Sequence, residues 1–154
     1  METYTHLKPV SSKQPAGTDD TTPSTLARSI LQTFLAQRWH TLQDLVHPDA
    51  QLETGYSVPG TRFDAQRFVD SAWAAGTSGA YKPEFELVLT LDDHTALVVA
   101  KIRFEIGKDD FTERDAAYLM TFKDSLLWRN LVFDSVDEAL TAYRAVRVDL
   151  PEAV

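Results

Sequence analysis

The stretch ERDAAYLMTF, residues 113–122, sets Arg114, Ala116, Tyr118 and Met120 on one face of an extended chain, because side chains alternate along a strand. A tyrosine hydroxyl donates a hydrogen bond at neutral pH, and a guanidinium binds carboxylates and enolates. Side by side, Tyr118 and Arg114 could hold a carbonyl or acidic oxygen of a small molecule. Each also has a plainer role: Tyr118 as wall filling with its hydroxyl satisfied locally, Arg114 as one half of an exposed ion pair. Other chemistries are poorly provided for. The histidines are His6, His40, His47 and His94, and His40 and His47 stand seven apart, not at the i, i+4 spacing of a helical metal pair. There is no cysteine, which removes thiolate metal sites, disulfides and cysteine nucleophiles. Neither a glycine-rich phosphate loop nor a serine elbow is present. No metal and no cofactor are expected.

Composition narrows the partners. The formal net charge of −8 argues against nucleic acid, whose phosphates need a basic surface, and against an anionic membrane surface. No apolar run reaches the ~18 residues of a membrane span, and the N-terminus lacks the apolar core of a secretory signal. The absence of cysteine fits a reducing compartment, so a cytoplasmic location is expected. With 154 residues and 44% apolar content, one domain with a sizeable core is expected.

The elements that must position Arg114 and Tyr118 can be read along the chain. Residues 1–22, rich in Pro, Ser, Thr and Asp, read as a flexible tail. Pro23 suits a first helical turn with Thr22 as cap, and Leu26, Ala27, Ile30, Leu31 and Phe34 follow at helical spacing. A short helix carries Trp39, Leu42, Leu45 and Val46, and HPDA is expected to stop it before Pro48. AQLETGY, residues 50–56, reads as a strand. Asp64 reads as an N-cap with Phe63 and Phe68 as a staple, opening a helix with the stripe Phe68, Val69, Ala72 and Trp73. After Pro83 the pattern changes to four strands in a meander. In the first of these, Phe85, Leu87, Leu89 and Leu91 are expected on one face. Ser135 and Glu138 form a capping box for a last helix with Val136, Ala139, Leu140 and Tyr143 as its apolar face. Helices followed by strands imply an α+β domain over residues 23–148, one curved antiparallel sheet with helices packed on one face, and a short tail at 149–154.

This order resembles the nuclear transport factor 2-like superfamily in its SnoaL-like branch. RWHTLQDLVHPDAQLE, residues 38–53, resembles that family's second helix and first strand, and YLMTFKDSLLWRNLVFDSVDEAL, residues 118–140, its last hairpin and the exit into the last helix. The resemblance spans about residues 24–146. It implies a cone-shaped curved antiparallel sheet wrapped around three N-terminal helices, with a C-terminal helix. Its relatives include ketosteroid isomerases, polyketide cyclases, scytalone dehydratases and domains without chemistry, so fold alone names no function.

Laid on the isomerase pattern, Thr54 falls where the base should stand, Tyr118 where a carboxylic-acid donor is buried, and an apolar residue near Ile30 where the catalytic tyrosine would be. The usual carboxylates are missing, so whether the protein is an enzyme stays open. Glu53 neighbours the base position, though alternation turns it away from Thr54. The resemblance implies Tyr118 and Arg114 as the residues of any catalysis. Ligand-lining positions are Thr54, Tyr56, Trp73, Met120, Phe133 and Trp39. The first expectation is a domain binding a small hydrophobic, oxygenated cyclic compound in the cone, with cofactor-independent isomerase, cyclase or dehydratase chemistry as its catalytic form. The alternative is a non-catalytic dimerisation or protein-interaction module with a filled cavity. Val98, Ala100, Ile102 and Phe104 share one strand face while Leu97 and Val99 lie on the other. A strand apolar on both faces is explained if both are covered, so a homodimer through the sheet is expected.

Overall fold

The structure, a computed structural model, describes residues 22–56 and 60–149. Residues 1–21 and 150–154, read from the sequence as tails, lie outside the described residues. Pro23–Leu35 forms α1. Thr22 stands at its N-cap in extended conformation, but its hydroxyl bonds the Thr25 hydroxyl at 2.8 Å instead of a backbone N–H. Pro23 fills the first turn, where a missing N–H costs nothing. Trp39–Asp44 forms α2, anchored by fully buried Leu42. Ala65–Ser78 forms α3. Asp64 accepts the Arg67 N–H at 2.9 Å, as a capping residue should, and Gly79 ends the helix at φ 79°.

Five strands follow the order β1-β5-β4-β3-β2, with β1 at Val46–Leu52, β2 at Tyr81–Thr90, β3 at Thr95–Gly107, β4 at Asp110–Lys123 and β5 at Leu126–Phe133. The meander of β2 to β5 is antiparallel, as expected. Three expectations need correction. First, β1 starts at Val46 and ends at Leu52, not at 50–56, and it runs parallel to β5. His47 and Pro48 therefore sit inside a strand. Proline is tolerated there because β1 is an edge strand, where a missing N–H breaks no ladder. Second, the register of β2 shifts between Phe85 and Leu87. That bulge reverses the alternation: Phe85 and Val88 are buried against the helices, while Leu87 and Leu89 are 44% and 43% exposed on the opposite face. Third, the helices do not share one face. The closing helix α4, Val136–Asp149, lies on the far side of the sheet.

The two faces hold two cores. Against the concave face, Ala27, Ile30 and Leu31 of α1 and Phe68, Val69 and Ala72 of α3 pack on Val98, Ile102, Tyr118 and Leu127. On the outer face, Ala139 joins Leu97, Ala117 and Leu119, with Leu131, Phe133, Leu140 and Tyr143 packed around them. The Tyr143 hydroxyl pins α4 by donating to Asp92 at 2.7 Å. Burial alone would raise the Asp92 carboxyl, but hydrogen bonds from the His94 backbone, Tyr143 and Thr95 hold it below its ordinary value. The doubly apolar β3 thus has an intrachain cause: α4 covers the second face. Ser135 caps α4 by accepting the Glu138 N–H at 3.1 Å, and Glu138 reaches back to the Asp134 N–H at 3.4 Å. No helix among the described residues is long and apolar enough to cross a membrane.

Candidate functional site

The concave face gathers three tyrosines from three separate elements. Tyr118 comes from the middle of β4, Tyr81 opens β2, and Tyr56 lies in the turn after β1. Tyr118 is 4% exposed. Its ring faces Phe85 at 6.5 Å, and its hydroxyl is hydrogen-bonded to that of Tyr81. The Tyr56 and Tyr81 rings meet edge to face at 4.9 Å, and Tyr81 also touches Phe34 and Phe104 at 5.9 and 5.6 Å. The Tyr56 hydroxyl bonds Ser71 of α3 and Thr54. Thr54, buried beside it, serves this network and offers no base.

Burial dominates the ionisation of all three phenols. It pushes Tyr56 up to about 12, and it holds Tyr81 well above its ordinary value, with Tyr118 nearby adding to the rise. It raises Tyr118 as well, against the opposing hydrogen bond from Tyr81 and the positive charge of Arg114. At neutral pH the three are therefore neutral hydroxyls, able to donate.

Arg114 stands four residues before Tyr118 on the same face of β4. Its Nη2 donates to the Gly55 carbonyl at 2.8 Å, and its Nη1 lies 3.8 Å from Asp134. Its Nε is buried and has no hydrogen-bond partner. The guanidinium thus straps the Glu53–Tyr56 segment down over the Tyr118 hydroxyl. A Cβ built on Gly55 would lie 2.5 Å from that hydroxyl oxygen, so only glycine lets the segment come so close.

Glu53 does not face the phenols. Its Oε1 accepts the Val132 N–H at 3.0 Å, and its Oε2 lies 3.9 Å from Arg62. It thereby occupies a backbone donor of β5 just past the end of β1. Asn130, 5% exposed on the concave face of β5, donates Nδ2 to the Glu53 carbonyl at 2.8 Å, which leaves its Oδ1 buried without a partner.

The structure thus brings Tyr118, Arg114, Thr54 and Tyr56 together. Met120 lies on the same face two residues past Tyr118 and is 4% exposed. Trp39 packs edge-on to Phe34 at 5.8 Å and against Gly76 of α3, one ring removed from Tyr81, which Phe34 also meets. Trp73 is 54% exposed and lines an outer cleft between α2 and α3. Phe133 belongs to the outer core under α4, because it shares a face with Leu131 while Val132 turns inward. Sequence reasoning named Tyr81 only among the aromatics on elements framing the cone, not as a ligand-lining position, and left out Asn130. Tyr81 carried no signal beyond being an aromatic near a strand start. Asn130 did: it is a polar residue within LLWRNLVF on the face opposite Arg129, Leu131 and Phe133. Among the described residues no cluster of His, Asp and Glu could hold a metal.

No family model matches the chain, and no curated protein matches it. Solved structures do. A candidate polyketide cyclase from Sinorhizobium meliloti superposes with TM-score 0.57 at 21% identity, covering 80% of this chain and 98% of that one. A protein of unknown function from Mesorhizobium loti, described as nuclear transport factor 2-like, superposes with TM-score 0.61 at 17% identity, covering 79% and 97%. A Mycobacterium tuberculosis protein in complex with estradiol-17beta-hemisuccinate gives TM-score 0.60 at 12% identity, covering 75% and 96%. These likenesses establish the nuclear transport factor 2-like fold.

Proposed function

On this nuclear transport factor 2-like fold, we propose that the concave face binds a small hydrophobic cyclic compound through an oxygen that is a carbonyl, an enol or an acid. The observation that carries the reading is the cluster of neutral Tyr56, Tyr81 and Tyr118 hydroxyls beside the Arg114 guanidinium. Buried phenols are donors without a charge cost, and the guanidinium complements a negative oxygen. Apolar side chains of β3 and β4 would take the rings, as pockets for such ligands require. The steroid ester held by the mycobacterial neighbour supports the reading, since this fold can seat a ring compound. A ligand oxygen would take the buried Arg114 Nε–H, which has no partner, or displace the Gly55 carbonyl from Nη2. Cofactor-independent proton transfer has less support than binding, because the Glu53 carboxylate is engaged by Val132 and Arg62.

A thermal-shift screen against steroids, aromatic polyketides, terpenes and phenolic acids tests this. A true ligand at 100-fold excess over its Kd is expected to raise Tm by about 5–10 °C. The shift should shrink in Tyr118→Phe. A ligand whose shift is the same in Tyr118→Phe would place binding elsewhere.

One observation favours the second reading, a filled cone used as an interaction module. Tyr118 is buried and the Gly55 carbonyl already occupies Arg114. A homodimer would then use the sheet margin that leaves Leu87 and Leu89 exposed, and a monodisperse monomer at high concentration excludes it.

A further inference from the structure

We propose that the cleft between α2 and α3 is a second site, separate from the concave face, and that it takes a neutral carbohydrate. The cleft has a volume of about 580 Å³, within the range of small-molecule sites. Its wall on α3 carries Gln66, Asp70 and Trp73 at i, i+4 and i+7, which is one helix face. Its wall on α2 carries His40 and Gln43.

An exposed tryptophan alone is ordinary. The surroundings of Trp73 are what point to a ligand. Gln43 Nε2 donates to Gln66 Oε1 at 3.3 Å, and Gln66 Nε2 donates to Asp70 Oδ1 at 3.0 Å. This chain of bonds crosses from one helix to the other and sets the amide orientations. Gln43 keeps its carbonyl oxygen for an incoming donor, Gln66 keeps one N–H for an incoming acceptor, and Asp70 keeps its second oxygen. Two acceptors and a donor therefore line the same cleft as a flat aromatic face.

A pyranose matches both parts. Each sugar hydroxyl is at once donor and acceptor, and the ring's polarised C–H face suits the electron-rich face of an indole. A purely apolar ligand would cover Trp73 but leave the Gln43 carbonyl, one Gln66 N–H and the second Asp70 oxygen unmet. Charge selects neither sign of ion: Arg38 and Asp70 both line the cleft and their formal charges balance, which suits a neutral ligand. Trp73 is over half exposed, so truncating it removes little from the core.

Tryptophan fluorescence of the full chain should be titrated with cellobiose, maltose, lactose and N,N′-diacetylchitobiose, and binding to variants read by saturation-transfer NMR. At least one disaccharide is expected to give a saturable change with Kd on the order of 1 mM. Trp73→Ala should abolish it, Gln66→Ala should weaken it roughly tenfold, the loss of about one net hydrogen bond, and Tyr118→Phe should leave it unchanged. The proposal is overturned by a panel without saturation, or by Trp73→Ala binding as the wild type does. It is equally overturned if fluorescence depends on protein concentration without sugar and Trp73→Ala removes that dependence, which would assign the cleft to a second copy of the chain.

Discussion

Gly55→Ala is expected to destabilise the protein by about 1–3 kcal/mol, the usual range for an added methyl in a packed interior. The new Cβ would lie 2.5 Å from the Tyr118 hydroxyl oxygen and 2.9 Å from Ile102 Cδ1. An opposing effect exists, since alanine restricts the unfolded chain and stabilises by roughly 0.4–1 kcal/mol. The clash wins because both neighbours are buried and neither can retreat: Tyr118 is 4% exposed and Ile102 fully enclosed. The diagnostic result is coupling. Tyr118→Phe alone loses the bond with Tyr81, about 0.5–1.5 kcal/mol, but in the Gly55→Ala background it removes the nearest clashing atom. Urea unfolding of the four proteins of the cycle should therefore show the double variant more stable than the sum of the single changes by about 1 kcal/mol. Strict additivity would mean that the Gly55 segment does not rest on Tyr118, and the strap formed by Arg114 would lose its role.

Alkaline pH should weaken the fold before it weakens exposed structure. Tyr56, Tyr81 and Tyr118 all have phenol pKa values raised by burial, Tyr56 to about 12. An unfolded tyrosine ionises near 10. Between these values the folded chain keeps protons that the unfolded chain releases, so stability falls as pH rises. Their stabilisation is complete below pH 10 and disappears as pH passes the folded values. For Tyr56 alone the two-unit shift corresponds to roughly 2–3 kcal/mol, since one unit is about 1.4 kcal/mol. Absorbance at phenolate wavelengths should show these tyrosines resisting ionisation at pH 10 and then ionising together with loss of the fold. Smooth titration of all tyrosines near pH 10 with the fold intact would contradict their enclosure.

How far the site was legible depended on the range over which each signal acts. Alternation in AAYLMTF put Tyr118 and Met120 on one face, and both are on the concave side. Alternation in LVLTL failed, because the bulge after Phe85 shifts the strand by one residue and turns Leu87 and Leu89 outward. Phe133 was misplaced for a related reason: strand alternation names two faces but does not say which one meets the helices. The parallel seat of β1 on β5 was equally invisible. The pairing of Leu52 with Asn130 joins residues far apart in sequence, and neither residue's own neighbours specify it.

By itself the sequence determined the order of helices and strands, the capped starts at Asp64 and Ser135, the meander, and Tyr118 with Arg114 on one strand face. Those follow from local periodicity and local hydrogen bonds, which act over a few residues. Only the tertiary structure decided that Tyr81 and Tyr56 join Tyr118, that Gly55 closes over it, that Asn130 turns an acceptor inward, and that α4 takes the outer face. Each of these depends on contacts between segments distant in the chain, where sheet register and available space, not residue type, choose the partner.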